Sequence, residues 1–389
     1  MIAPGSTMGI IGGGQLGRMT AQSAKSLGYR VAILERTRDC PAGSLADHLV
    51  VGAYGDAGAL RELANLCDVV TYEFENISVA GLEQIATEVP VRPHPKLLAA
   101  SQNRLLEKGF LENHGMPLPA YLAVEEPGEL EPTLEKLGGS GILKSARFGY
   151  DGKGQLRVEA PLNQATMAAA ASLLARGPCV LEELIQYAGE YSVAVARSPQ
   201  GEVVAYPAFE NRHRNHILDQ TIFPARLDGG KVAEVDQLAM RFAQSIGLEG
   251  LLVIEFFLTQ DGRWLVNEMA PRPHNSAHVT MNAGVTSQFE QLVRSICDLP
   301  LGVVKPRRPG AMINLLGEVW KTEVPDWKGL LAVEETYLHL YGKAEAREQR
   351  KMGHCNVYAD TGEELDQRIH EMRRVLGLPQ PRLEGGWTR

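Results

Sequence analysis

Leu143-Lys144-Ser145-Ala146-Arg147-Phe148-Gly149-Tyr150-Asp151-Gly152-Lys153-Gly154-Gln155 packs three glycines into six residues, beside two lysines, an arginine and an acid. Ile142 and Leu143 before it, and Leu156 and Val158 after it, read as strand ends, so the segment is a glycine-rich loop joining two strands. Glycines let successive backbone N–H groups converge on one point, and lysines add full positive charge; together they suit a polyphosphate. A Walker A loop would need Gly-Lys-Ser/Thr opening a helix, whereas Lys153 is followed by Gly154. A hairpin tip with solvated lysines has the same composition, so the rest of the chain must decide.

With 389 residues the chain is long enough for two or three domains. Its 44% hydrophobic and 22% charged content is that of an ordinary globular protein. A formal net charge of -8 argues against general nucleic-acid binding, while leaving room for a local basic site. No apolar run reaches membrane-spanning length and the N-terminus lacks a signal-peptide pattern, so a cytoplasmic protein without membrane contact is expected. The five cysteines are scattered with no C-x-x-C pair, which fits reduced thiols rather than disulfides or zinc.

Toward the N-terminus, Met8–Ile11 reads as a strand, Gly12-Gly13-Gly14-Gln15-Leu16-Gly17 as a turn, and the residues through Leu27 as a helix; Val31–Leu34 is a second strand ending at Glu35. Gly12, Gly14 and Gly17 match G-x-G-x-x-G, and Glu35 stands where a ribose-binding acid would stand in a dinucleotide site. That gives an NAD reading; the alternative is tight strand–helix packing with a small anion at the helix N-terminus. The strand Asp68–Tyr72 delivers Glu73-Phe74-Glu75-Asn76 to its carboxyl end, the edge where open parallel sheets bind ligands. Glu73 is a substrate-contact candidate there, or a solvated loop acid. Lys96–His114 reads as one helix projecting Arg104, and Arg212–His216 as a basic loop.

Leu251–Leu258 and Trp264–Met269 are apolar strands around Asp261-Gly262, a strong hairpin signal. If those two residues form the turn, Gln260 pairs with Arg263 and Glu255 falls opposite Glu268, with Cβ atoms about 4.5–5.5 Å apart. Like charges so placed need compensation, and Mg²⁺ with its preference for one or two carboxylates plus phosphate oxygens would supply it. A protonated or arginine-paired acid couple is the competing reading. Asn267 joins that face only if the strand twists or bulges. The next segment, Ala270–His278, is rigidified by Pro271 and Pro273; Arg272 and His274 offer positive or hydrogen-bonding groups to an oxyanion such as bicarbonate. Near the C-terminus, Lys343 and Arg350 in the run Tyr341–His354 would reach a monoester phosphate, or form a solvated charged face.

Taken together, Gly12–Met19, Thr71–Asn76, Phe148–Gln155, Asn267–Ser276 and Tyr341–His354 resemble the ATP-grasp superfamily, and within it the purine-biosynthetic branch that carboxylates aminoimidazole ribonucleotide. Ala277 stands where that branch usually has glycine. The resemblance implies an α/β ATP-grasp fold: a Rossmann-like N-terminal domain over residues 1–100 that binds no NAD, an ATP-grasp domain over 101–300 with a lid near 118–190, and a small mixed C-terminal domain over 301–389. It implies ATP-dependent carboxylation of 5-aminoimidazole ribonucleotide with bicarbonate, through carboxyphosphate. Arg104, Lys144 and Gly149, Tyr150, Asp151, Gly152, Lys153, Gly154 and Gln155 would meet the ATP phosphates. Glu182, Glu183, Leu184 and Ile185 would line the adenine edge, Glu190 the ribose, with His213 near the nucleotide and Asn267 beside Glu268. Glu255 and Glu268 would bind Mg²⁺ or Mn²⁺. Arg272, His274 and Lys144 would carry the chemistry, with Arg272 and His274 on bicarbonate. Gln15, Leu16, Glu73, Tyr150 and Asp151 would surround the ribonucleotide, and Lys343 and Arg350 its phosphate. The branch is commonly homodimeric. The alternatives are a formate-using ATP-grasp transformylase, an NAD-dependent oxidoreductase and a non-catalytic nucleotide sensor.

Overall fold

The computed structural model describes residues 1–147, 154–320 and 324–380. Of the glycine-rich loop, Phe148, Gly149, Tyr150, Asp151, Gly152 and Lys153 lie outside the described residues. No helix among the described residues is long and apolar enough to cross a membrane.

Among the described residues three sheets carry the chain. β1 (Thr7–Ile11), β2 (Arg30–Glu35), β3 (His48–Val51) and β4 (Val69–Tyr72) form a parallel sheet in the order β3-β2-β1-β4. β1 and β4 are buried along their whole length, which explains why they read as continuous apolar runs rather than alternating ones. A second, antiparallel sheet holds β5 (Tyr121–Val124), β6 (Ser140–Ser145), β7 (Gln155–Glu159) and β8 (Cys179–Glu183) in the order β5-β8-β6-β7. β6 and β7 are the two strands joined by the glycine-rich segment, with Lys144 opposite Gln155.

The third sheet has nine strands: β9 (Tyr187–Arg197), β10 (Val203–Ala205), β11 (Phe209–Arg214), β12 (Ile217–Phe223), β13 (Gly250–Thr259), β14 (Trp264–Ala270), β15 (Gly310–Leu316), β16 (Thr336–Leu340) and β17 (Lys351–Tyr358). Its order is β14-β13-β9-β11-β12-β15-β17-β16, with β10 on β9. The last three strands therefore extend the central sheet through the β12–β15 ladder. The first and third sheets share one core: Met8, Ile10 and Val31 pack with Leu251, Leu292, Val293 and Ile296. Arg92 pins the same junction, pairing with Glu249 at 2.6 Å and donating to the Ile296 carbonyl at 2.6 Å.

Local chemistry departs from the sequence expectations at three places. The single helix expected over Lys96–His114 is two helices, Pro95–Ser101 and Arg104–Asn113. Asn103 is the reason: its side chain accepts from Leu105 N at 2.9 Å and starts a new helix. The expected basic loop Arg212–His216 is the end of β11 and a two-residue turn, Asn215-His216, with both φ values positive (51° and 64°). That is the type I′ geometry whose usual signature is Asn-Gly, so the histidine hid it. The β13–β14 turn is also longer than expected. Thr259 N donates to Arg263 O at 2.9 Å, enclosing Gln260, Asp261 and Gly262, with Gly262 at φ +82°. The register is then one residue off until a bulge between Glu255 and Phe256 restores it.

The turn before the helix Gln15–Ser26 brings Gly17 against the backbone of Gly12. A Cβ added at Gly17 would lie inside van der Waals contact with the Gly12 carbonyl oxygen, which has no flexible end to move. Gly17→Ala is expected to destabilise the chain by about 1–3 kcal/mol, the usual range for overpacking. Urea denaturation measures this; an unchanged midpoint would contradict the packing described.

Candidate active site

The carboxyl ends of β1 and β4 meet at the glycine turn. Glu73 follows β4 and turns its carboxylate onto the N-terminus of the helix Gln15–Ser26, accepting from Gly14 N and, at 2.6 Å, from Gly17 N. The anion expected at this helix N-terminus is therefore the protein's own side chain, held by converging N–H groups and the helix dipole. Glu73 is neither a solvated loop acid nor an unengaged one. Glu35, the acid in the ribose position of the NAD reading, likewise accepts from Gly13 N at 2.7 Å and from the Tyr54 hydroxyl.

On β13 and β14, Glu255 does face Glu268. Two departures cancel to give that register: the longer turn shifts the pairing by one residue and the bulge shifts it back. The bulge also swings Asn267 onto the acids' face, where it hydrogen-bonds Glu255 and lies 3.5 Å from Lys144 Nζ. Burial, and then the charge of Glu268, push the Glu255 carboxyl up. Glu268 stays below the usual carboxylate range: burial opposes this, but Arg104 and Lys144 outweigh it.

The groups that face the acids come from elements distant in sequence. Arg104, at the start of the helix that Asn103 caps, contacts Glu268 at 3.0 Å. His274 Nε2 lies 3.1 Å from Glu255 Oε1. Lys144 and Lys108 grip the two oxygens of Glu182 at 2.9 and 3.2 Å, with Glu182 only 2% exposed. One turn beyond Arg104, Glu107 accepts from Met269 N at 2.7 Å, and burial followed by the Glu268 charge raises its carboxyl.

Arg272 and His274 follow β14 directly. Arg272 Nε is held at 2.6 Å by Glu75, which reaches across from the loop after β4. His274 is clamped by its backbone: its N–H donates to Gln288 Oε1 and its carbonyl accepts from Gln288 Nε2, both at 2.8 Å. Burial, and then the Arg272 charge, keep the His274 imidazole neutral. A cavity of about 490 Å³ gathers Gln15, Leu16, Glu73, Arg104, Glu268, Arg272 and His274 along one wall system.

The whole-chain comparisons fit this geometry. A ribonucleotide synthetase preATP-grasp domain model matches residues 5–102, an ATP-grasp domain model 109–289, and a phosphoribosylaminoimidazole carboxylase C-terminal domain model 310–368. The N5-carboxyaminoimidazole ribonucleotide synthase of Bacillus subtilis (strain 168) is 42% identical over 369 residues, covering 95% of this chain and 96% of its own length. The chain belongs to the N5-carboxyaminoimidazole ribonucleotide synthase family. A synthetase of this family solved with ADP superposes with a TM-score of 0.89 at 39% identity, covering 96% of this chain and 97% of that one. The Aspergillus clavatus synthase, solved with ADP and 5-aminoimidazole ribonucleotide, gives a TM-score of 0.88 at 31% identity, covering 96% and 99%. The fold is accordingly the ATP-grasp fold, with its preATP-grasp and C-terminal parts.

Within this synthase fold the remaining expected residues fall into four groups. Glu190 and His213 form one pair, His213 Nδ1 lying 2.7 Å from Glu190 Oε2, while Tyr187 donates to Glu190 Oε1 at 2.8 Å. Burial works against both charges, but the contact outweighs it, lowering Glu190 and raising His213. Glu183 is exposed at the end of β8, and Leu184 and Ile185 are half-buried in the link to β9. Gly154 accepts from Ser145 N at 2.8 Å, and Gln155 contacts His216 at 3.3 Å. Lys343 Nζ donates to the Lys351 carbonyl at 2.8 Å; burial and then Arg350 lower its ammonium to about 8.

Sequence reasoning passed over Glu75, Gln102, Glu107, Asn275, His278 and Lys351, which line the same cavity. Glu75, Asn275 and His278 sat inside segments already singled out, and Lys351 is the residue after Arg350. Gln102 and Glu107 carried no signal beyond their proximity to Arg104.

The acid pair is asymmetric, so its two neutralisations should differ in metal-free protein. The raised Glu255 carboxyl contributes stability at pH below its unfolded value and loses it as pH climbs toward neutrality. Glu255→Gln removes that loss, so its Tm should gain on wild type as pH rises from mildly acidic to neutral. Glu268→Gln breaks the Arg104 contact and should lower Tm at neutral pH, with the deficit shrinking on acidification. Parallel melting curves with chelator across pH check both signs.

Proposed function

We propose that this chain carboxylates 5-aminoimidazole ribonucleotide with bicarbonate at the expense of ATP, giving N5-carboxyaminoimidazole ribonucleotide, ADP and phosphate. The observation that carries it is one face bearing Glu255, Asn267 and Glu268, flanked by Arg104 and Lys144, next to Arg272 and His274. Among the described residues no cluster of three or more His, Cys, Asp or Glu side chains forms a self-sufficient metal cage. Two carboxylates with an amide oxygen nevertheless suit Mg²⁺ or Mn²⁺, which complete their shells with water and phosphate. Glu255 and Glu268, with Asn267, would hold that ion, which supplies neutralisation of phosphate charge.

Bicarbonate is a poor electrophile. Its oxygen attacks the γ-phosphorus of ATP, the bond to ADP breaks, and carboxyphosphate forms. Carboxyphosphate, or CO₂ released from it, is then captured by the substrate amine, and phosphate leaves with the amine proton. Phosphoryl transfer asks for positioning and charge neutralisation rather than a covalent nucleophile, and the residues here are of that kind. Arg104 and Lys144 face the phosphates, Lys144 being held in place by Glu182. Leu184 and Ile185 lie at the adenine, and Glu190 with His213 at the ribose. Arg272, steadied by Glu75, and His274 take bicarbonate. Gln15, Leu16 and Glu73 border the imidazole ribonucleotide, with Lys343 and Arg350 at its phosphate. A homodimer and a cytoplasmic location belong to the same reading, and the five free cysteines are compatible with a reducing compartment.

ADP release should require both aminoimidazole ribonucleotide and bicarbonate, and formate in place of bicarbonate should give none. Release with formate would favour the transformylase alternative. Lys144→Ala should raise the KM for ATP about 10- to 100-fold, the value of a charge-assisted hydrogen bond. An unchanged KM would remove Lys144 from the phosphate site.

A further inference from the structure

Behind His274 lies a chain of buried hydrogen bonds that the reaction itself does not use. Asn211 on β11 donates from Nδ2 to Ser192 Oγ on β9 at 2.9 Å; Ser192 Oγ donates to Ser276 Oγ at 2.8 Å; Ser276 Oγ meets His274 Nδ1 at 2.9 Å. Ser192 and Ser276 are fully buried, and Asn211 is 6% exposed. Thr221, also fully buried, donates to Asn211 Oδ1 at 3.2 Å.

The chain has a direction. An amide nitrogen only donates, so Ser192 accepts from Asn211 and turns its own proton toward Ser276. Ser276 accepts there and has one proton left, for His274 Nδ1. A second donor agrees: Ser276 N, in the turn that His274 caps, points at the same Nδ1 at 3.4 Å. On the far side of the ring, Nε2 lies 3.1 Å from Glu255 Oε1, an acceptor. Gln288 holds the backbone of His274 from both sides and so fixes the point from which the ring projects.

We infer that Asn211, Ser192 and Ser276 are positioning residues that fix His274 as the neutral tautomer carrying its proton on Nε2. A nitrogen bearing a proton has no lone pair to give a cation. His274 therefore stays outside the ligand set of Glu255 and Glu268, although it touches one of them, and its single Nε2 proton, which Glu255 accepts here, is the donor that passes to the substrate oxyanion when that binds. That last role rests on the proposed function.

The test uses the full chain labelled with ¹⁵N-histidine. The His274 signals are assigned by their loss in His274→Gln, and long-range proton–nitrogen correlation reports which ring nitrogen is protonated. Wild type should show the proton on Nε2. Asn211→Asp places an acceptor at the head of the chain, turns both hydroxyls round, and should move the proton to Nδ1. In the same variant the KM for bicarbonate should rise about tenfold, the loss of one ordinary hydrogen bond, with the KM for ATP within about twofold of wild type. Ser276→Ala, which leaves only the long Ser276 N contact, should give a mixture of tautomers and carries the test should Asn211→Asp not fold. A wild-type proton on Nδ1, or a folded variant whose tautomer does not move, overturns the inference. A moved tautomer with an unmoved bicarbonate KM upholds the chain and instead removes His274 from the bicarbonate site.

Discussion

Glu255 and Glu268 repel each other across a hairpin, and much of the surrounding structure is arranged by that repulsion. Two carboxylates cannot sit side by side away from water without positive partners. None of the flanking strand positions provides one. The positive partner arrives from a helix more than a hundred residues earlier, through Arg104 on Glu268, while Glu255 meets a neutral imidazole, His274, from the loop after β14. The hairpin thus gathers separate parts of the chain around one local charge problem. Glu107 and Met269, joined by a hydrogen bond, tighten the same contact between helix and strand.

A second charge cluster supports the first. Glu182 is almost inaccessible and carries two lysines, one of which, Lys144, also approaches Asn267. A buried ion set of this kind contributes little net stability, because desolvation offsets most of the attraction. What it does contribute is placement. Lys144 is long and flexible, yet it is held at the border between the second and third sheets. Burial of Lys108 favours its neutral form, and the charges of Glu182 and then Glu107 oppose that. Glu182 is therefore better understood as the fixed end of a lysine tether than as a reader of adenine.

The sequence disclosed the strand-loop-strand setting of the glycine segment, the buried parallel strands and the facing acids, because each rests on residue type and short spacing. It disclosed less where a side chain acts on distant backbone. Asn103 breaks a helix that apolar periodicity alone would continue. Asn215-His216 makes a turn whose usual glycine is absent. A two-residue β13–β14 turn and the three-residue turn that forms lead to the same pairing of the acids, since a bulge takes back the one-residue shift and at the same time brings Asn267 to them. Glu73 was recognised as a residue of the site, but its bond to the glycine turn depends on a contact between β4 and the helix Gln15–Ser26 that spacing cannot reveal. Gln288 gave no sign at all: a buried glutamine clamping another residue's backbone looks, in sequence, like any polar position on a helix.

The continuity of the third sheet bears on how the chain is made. Gln220 on β12 pairs with Ile313 on β15, and β15 in turn carries β17 and β16. During vectorial synthesis β12 leaves the ribosome long before its neighbour exists, and waits as an open edge with unpaired N–H and C=O groups. The parallel N-terminal sheet is under no such constraint, because its four strands all emerge early. A nascent chain therefore passes through a stage in which its first part is folded while its central sheet still has an unpaired edge, and that is when it would most need a chaperone.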